Sequence, residues 1–231
     1  MSAGPRPLII RHLGRQSYQP VWDSMRAFTD GRKPDQTDEL WVVEHDPVFT
    51  QGLAGKAEHV LDPTGIPIVQ TDRGGQVTYH GPGQIVVYPL LDIDRRNLGV
   101  RCLVDRLEQA VIEMLGDRRI PGERMEGAPG IYIAGAKIAS IGLKVRRGRT
   151  YHGMAMNVDM DLQPFSCINP CGFAGLAMTQ LTDHLPATTL AEARTALCTS
   201  ICQQLDYDAV DDSSQNQRRP ANLLASESAL S

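Results

Sequence analysis

The chain predicts a single α+β domain, a mixed or antiparallel sheet with helices packed on one side of it. Three observations point there. Short apolar runs of strand length recur from Pro7 to Val158 and are separated by glycine turns. Other stretches repeat their apolar residues at helical spacing instead. The 231 residues are 42% hydrophobic, enough for one compact core, and contain neither an internal repeat nor a long linker.

Taken in order, Pro7-Leu-Ile-Ile-Arg11 reads as a short strand. Tyr18 to Asp30 reads as a helix because Val21, Trp22, Met25 and Phe28 share one face, with Gly31 and Pro34 stopping it. Glu39 to His45 is a β-rich run ended by Asp46-Pro47, and Phe49 to Gly55 is expected to be an exposed loop. Ile66 to Gln70 is a further strand. Gln76 to His80 and Gln84 to Asp92 flank Gly81-Pro82-Gly83 and are expected to pair as a hairpin. Leu98 to Gly116 places Leu103, Leu107, Ala110, Val111 and Met114 on one helical stripe. Ile131–Ala134, Lys137–Val145 and Tyr151–Val158 form a second series of strands, the last two joined by the basic turn Arg146-Arg147-Gly148-Arg149. A short strand near Met178 to Leu181 precedes a helix from about Ala187 to Leu205. The domain is expected to span residues 1–210. Residues 211–231, rich in Ser, Gln, Asn and Arg without periodicity, are expected to be a disordered tail.

Composition excludes several classes. Lys+Arg 23 against Asp+Glu 27 leaves a mildly acidic chain with no basic tail, which argues against nucleic acid as a partner. No apolar run approaches the roughly 20 residues that span a bilayer, so a cytoplasmic protein without membrane contact is expected. Five cysteines without a signal peptide argue against a disulfide framework. Cys167/Cys171 and Cys198/Cys202 share C-x-x-x-C spacing and could be imagined as a four-thiolate zinc site. Cys198 and Cys202 are more simply core, since they lie on one stripe with Leu197, Ile201 and Leu205.

Three stretches could carry chemistry. In Asn169-Pro-Cys-Gly172 a proline fixes the incoming backbone and a glycine can turn behind Cys171, which suits a nucleophile open to a carbonyl; a lone cysteine is otherwise a common core residue. Arg73-Gly-Gly-Gln-Val-Thr-Tyr-His-Gly-Pro-Gly-Gln84 holds four glycines, which let a main chain pass close to a ligand. It matches neither a phosphate loop nor a dinucleotide turn. Lys137 heads an apolar strand, where most lysines are inert. If buried and close to Cys171, it would favour a thiolate–ammonium pair, the free groups titrating near ~10.4 and ~8.5. His80 and His152, each preceding glycine, are rival bases, and the residues alone leave both pairings open.

Together, Arg73 to Gln84, Lys137-Ile-Ala-Ser-Ile-Gly142 with His152-Gly-Met-Ala-Met-Asn-Val158, and Asn169 to Gly172 resemble the lipoyl(octanoyl) transferase family of lipoate biosynthesis, in order and spacing, over about Leu8 to Tyr207. The resemblance implies a fold like the catalytic domain of biotin/lipoate protein ligases. It implies transfer of an octanoyl group from octanoyl-acyl carrier protein to a lysine of lipoyl domains, the acceptors being 2-oxoacid dehydrogenase complexes and the glycine-cleavage H protein. It places the nucleophile on Cys171 and the dyad lysine on Lys137. Substrate contacts fall on Arg73, Gly74, Gly75, Gln76, Val77, Thr78, Tyr79 and His80, on Ser140, Ile141 and Gly142, and on Gly153, Met154 and Ala155. Thioester chemistry of this kind is expected to need no cofactor and no metal. An ATP-dependent lipoate or biotin ligase on the same scaffold, or a zinc-stabilised binding module, are the alternatives. Arg146, Arg147 and Arg149 would suit the acidic carrier protein, although a solvated turn explains them equally.

Overall fold

A computed structural model describes residues 6–63, 65–170 and 175–212. The larger of two sheets runs, edge to edge, β11 (Tyr207–Asp211), β1 (Arg6–Gln16), β2 (Asp38–His45), β6 (Gln84–Leu90), β10 (Arg149–Asn157), β9 (Ala136–Arg146), β8 (Gly130–Ile133) and β7 (Glu123–Arg124). β1 is parallel to both neighbours, and the remaining pairs are antiparallel. A second sheet of β4 (Ile68–Gln70), β3 (Val48–Gln51) and β5 (Val77–His80) packs beside it. The mixed α+β architecture read from the sequence is therefore the one observed.

Strand alternation divides the large sheet's side chains between two cores. Leu40, Val42, Ile85, Val87, Met154 and Met156 pack under helices α2 (Val100–Gly116) and α4 (Leu190–Gln204). Trp41, Val43, Val86, Tyr88 and Ala155 face the other way and are covered by Val21 and Met25 of α1 (Tyr18–Gly31). Helices thus cover both faces, not one. The central strands are apolar on both sides, and each large side chain left in water would forgo roughly 1.5–3 kcal/mol. α4 begins at a capping box in which Thr189 and Glu192 satisfy each other's end groups.

Several local expectations are corrected. Phe49 is fully buried in β3, not in a loop, because pairing with β4 and β5 satisfies its backbone. β5 and β6 are not a hairpin. The Gly81–Gly83 turn passes the chain from the small sheet to the large one, where β6 pairs with β2 and β10. Turn composition does not distinguish folding back from crossing over, and long-range pairing decides it. Met178 makes a single bridge to Lys137, while Leu181 opens the short helix α3 (Leu181–His184). The chain also stays in the sheet slightly beyond the expected boundary: β11 ends at Asp211, and Asp212 pairs with Arg11. Residues 213–231 lie outside the described residues.

One buried carboxylate ties the parallel edge together. Asp38 at the start of β2 is 1% exposed. It pairs with the buried Arg32 beyond α1 and with Arg95 at 2.8 Å, and it accepts hydrogen bonds from Asp92 N at 2.9 Å and from the Tyr207 hydroxyl of β11. Removing one partner of such a pair leaves the other charge buried and uncompensated. Asp38→Ala is predicted to cost about 3–5 kcal/mol. Urea unfolding of the variant, with an unchanged denaturant slope, checks this; a loss below ~1 kcal/mol would contradict it.

Candidate active site

Where the two sheets meet, a cavity opens between β5, β6, β9, β10 and α1. Its walls contain Arg73, Gly75, Gln76, Val77, Thr78 and His80 from the first stretch, Ser140, Ile141 and Gly142 from β9, and Gly153, Met154 and Ala155 from β10. Nearly all the substrate contacts expected from the sequence are thus brought together. Two are placed elsewhere. Gly74 donates its N–H to the Leu143 carbonyl at 3.0 Å, docking the glycine-rich segment on β9. Tyr79, by alternation along β5, points away from the cavity and packs against Phe49 and Phe165, each ring 5.5 Å distant.

The glycine-rich segment is held by its own arginine. The buried Arg73 donates to the Thr50 hydroxyl from Nε at 3.2 Å and from Nη2 at 2.9 Å, and from Nη1 to the Gly74 carbonyl at 2.9 Å. Gly153 satisfies a steric constraint on the opposite wall. It lies across from Gly142 in the β9–β10 ladder, and a Cβ there would sit 1.9 Å from the Val87 carbonyl oxygen. Only glycine lets β10 lie this close to β6.

Lys137, at the head of β9, is fully buried. Its N–H donates to the Ala177 carbonyl at 2.8 Å, and its carbonyl accepts from Thr179 N at 3.0 Å. The chain beyond residues 171–174 is thereby fastened to the lysine's backbone. Before that stretch, Ile168 bridges Val60 and Asn169 N donates to the His59 carbonyl at 2.8 Å. Cys171 and Gly172, the expected nucleophile and its turn, lie outside the described residues.

The two histidine rivals are already engaged. His80 donates from Nδ1 to Gln84 Oε1 at 2.7 Å, with Thr50 Oγ1 3.3 Å from Nε2; burial and the neighbouring His45 lower its pKa to about 3. His152 Nε2 lies 2.9 Å from Asp72, and Nδ1 faces the Tyr18 hydroxyl at 3.4 Å. Burial lowers its pKa, partly offset by Asp72. Burial opposes ionisation of Asp72 itself, yet the hydrogen bonds from His152 and Tyr151 outweigh it and hold the carboxyl below the usual range. His45 donates to the Gln16 carbonyl and accepts from the Tyr88 hydroxyl at 2.7 Å; burial lowers its pKa to about 4. Both ring stacking and the hydroxyl network join Tyr18 to this group, its ring lying parallel to His80 at 6.0 Å. Sequence reading missed Tyr18, Val86 and Tyr88 as cavity walls. Nothing local distinguishes them from core residues, since they meet only through the tertiary packing of α1 on β6.

The zinc alternative loses its geometry. Cys198 and Cys202 pack in the core beneath α2, where burial raises their thiols to about 12 and about 11. Cys167 packs in a different cluster, beside the small sheet. Among the described residues, no three His, Cys, Asp or Glu side chains gather as a metal site. No helix among them is long and apolar enough to cross a membrane.

Fold and site together define a mixed α+β domain with a largely apolar cavity where its two sheets meet, and comparison gives this class a name. The model of the lipoyl protein ligase A/B catalytic domain matches residues 17–202, and the chain belongs to that family. It is 56% identical over 203 residues to an octanoyltransferase of Pseudomonas fluorescens, covering 88% of this chain and 94% of that one. It is 59% identical over 187 residues to an octanoyltransferase of Chromobacterium violaceum, covering 81% and 90%. Among solved structures, it superposes on a lipoate-protein ligase A bound with ATP at a TM-score of 0.73, with 17% identity and 99% and 94% coverage. A bi-partite lipoate protein ligase from Thermoplasma acidophilum gives 0.70, with 20% identity and 90% and 86% coverage. At those identities the structures speak for the fold alone.

The neutral histidines make a testable demand on stability. The folded protein keeps His45 and His80 uncharged down to about 4 and about 3, whereas the unfolded chain protonates them near ~6.5. Below that pH protons bind the unfolded state preferentially, so stability is full above pH ~6.5 and is lost as pH falls toward 4. The expected loss is about 2–3 kcal/mol per pH unit around pH ~5. Urea midpoints at pH ~7.5, ~6 and ~5 measure it, and His45→Gln should roughly halve the slope. A flat profile would contradict the assignment.

Proposed function

We propose that the chain is an octanoyltransferase of lipoate biosynthesis, moving an octanoyl group from octanoyl-acyl carrier protein to a lysine of lipoyl domains. The observation that carries this reading is the cavity in which the stretch from Arg73 to His80 meets Ser140–Gly142 and Gly153–Ala155. Its apolar walls, Val86, Ile141, Met154 and Ala155, suit an unbranched acyl chain. The octanoyltransferase relatives at 56–59% identity over most of the chain support the same activity. The acceptors are lipoyl-domain proteins, here the acyltransferase subunits of 2-oxoacid dehydrogenases and the glycine-cleavage H protein.

In the mechanism, the Cys171 thiolate attacks the thioester carbonyl of octanoyl-phosphopantetheine. The bond to the pantetheine sulfur breaks as Lys137 delivers a proton to that leaving thiolate. The acceptor's lysine amine then attacks the acyl-enzyme. Neutral Lys137 takes the proton released as the C–N bond forms and the C–S bond to Cys171 breaks, which restores the starting pair. Main-chain amides of the glycine-rich walls, Gly153 among them, are assigned to the tetrahedral oxyanion. Thioester exchange is nearly isoenergetic and amide formation runs downhill, so this route consumes no ATP. The engaged, weakly basic His80 and His152 favour Lys137 over either ring as the proton carrier.

The purified chain, incubated with octanoyl-acyl carrier protein and an apo lipoyl domain, is expected to give an octanoyl amide on the domain's lysine without ATP. Lys137→Met should lower the rate by at least ~100-fold, the scale of one general acid–base group. Octanoate incorporation that requires ATP would instead identify a ligase.

A further inference from the structure

Lys137 reaches its buried position through three features of the β8–β9 pair. The first is a bulge. Gly130 and Ile131 pair with Ser140 and Ala139, but Tyr132 pairs with Lys137, so Ile138 is the additional residue on β9. Ile138 and Ala139 both join the α2 core alongside Ile131 and Ile133. In unbroken alternation Lys137 would share the face of Ala139 and enter that core. The bulge turns it to the face of its partner Tyr132.

The second feature is Gly130. Its φ is +127°, and a Cβ there would stand 2.6 Å from Lys137 Cε and 3.2 Å from Nζ. The lysine stem therefore lies across the place where a side chain would be. The third is Tyr132, whose ring centroid lies 5.2 Å from Lys137 Nζ, within cation–π range, with its hydroxyl donating to the Ala128 carbonyl at 3.0 Å. Behind both stands Glu108 of α2, a buried carboxylate that accepts Gly130 N–H at 2.8 Å and Arg124 Nε at 2.9 Å. It holds the start of β8 against the helix.

We propose that Tyr132, Gly130 and Glu108 are positioning residues for Lys137: the bulge turns the lysine, Gly130 admits its stem, Glu108 pins Gly130, and the Tyr132 ring seats the ammonium. The catalytic consequence rests on the reading of Lys137 as proton carrier; the seating itself does not. None of the three is expected to touch substrate, so their loss should lower kcat and leave KM for the carrier-bound thioester within about twofold.

Two measurements on the full chain test this. The sequence has four lysines, Lys33, Lys56, Lys137 and Lys144, so lysine-selective 13C labelling gives few signals to assign. The ring current of Tyr132 should shift the Lys137 ε-protons upfield of the other three. The shift should persist in Tyr132→Phe and vanish in Tyr132→Leu. In parallel, replacing Tyr132 by phenylalanines carrying one, two and three ring fluorines withdraws charge from the ring face at nearly constant volume. kcat should fall stepwise along the series with KM unchanged. Glu108→Ala should lower kcat about tenfold, and Glu108→Gln, which keeps an acceptor for Gly130 N–H, should restore most of it. Absence of the upfield shift in the unaltered protein, or a flat kcat across the fluorinated series, overturns the proposal. An intact shift together with full acyl transfer by Lys137→Met would overturn the catalytic role of Lys137 while upholding its seating.

Discussion

Burial of Lys137 at the head of β9 is the constraint around which the site is arranged. A lysine removed from water is costly unless its surroundings compensate, and the compensations here involve four separate segments. β8 supplies an aromatic face and a residue without a side chain, and α2 supplies the carboxylate that fixes that residue. β9 supplies the bulge, and residues 177–179 bond to the lysine's backbone on its free edge. A lysine placed this way is fastened from several sides, as the proposed role of proton carrier would require.

The cavity itself has two kinds of wall. One wall is made of close backbone approaches, where Gly153 and Gly75, next to the docked Gly74, bring main chain to the cavity surface. The other is an aromatic and histidine network whose hydrogen bonds are satisfied internally, through Gln84, Asp72, Gln16 and Tyr88. Because burial lowers the pKa of His80 to about 3 and of His45 behind it to about 4, His80 lines the cavity as a neutral ring. The membership of the chain in the lipoyl protein ligase A/B family fits this division. A fold of this kind can present different side chains for different chemistries.

Much of this was legible in the sequence, and the failures share a cause. α1, α2, β2 and β6 followed from periodicity because each has a long apolar pattern that only one element satisfies. Glycine density singled out the stretch from Arg73 to Gln84 as one that could pass close to a ligand, whereas the walls from β9 and β10 were named only by the family resemblance. By contrast, β3 read as a loop because its partners lie far away in sequence, and the Gly81–Gly83 turn read as a hairpin because turn residues do not say which strand comes next. Tyr79 read as a wall because it lies inside the motif, although alternation along β5 sends it to the opposite face. The bulge at Ile138 leaves no compositional mark: Lys137-Ile-Ala reads as an ordinary strand start, and only the register against β8 reveals which way the lysine turns.

The central claim is that the acyl group passes through a covalent bond to Cys171. The direct measurement mixes the chain with octanoyl-acyl carrier protein in the absence of acceptor, quenches in acid, and maps the octanoyl group by peptide mass spectrometry. The account predicts one octanoyl group on Cys171, released by neutral hydroxylamine as a thioester is, and absent in Cys171→Ala. An unmodified Cys171 under conditions that support transfer to the lipoyl domain would contradict it.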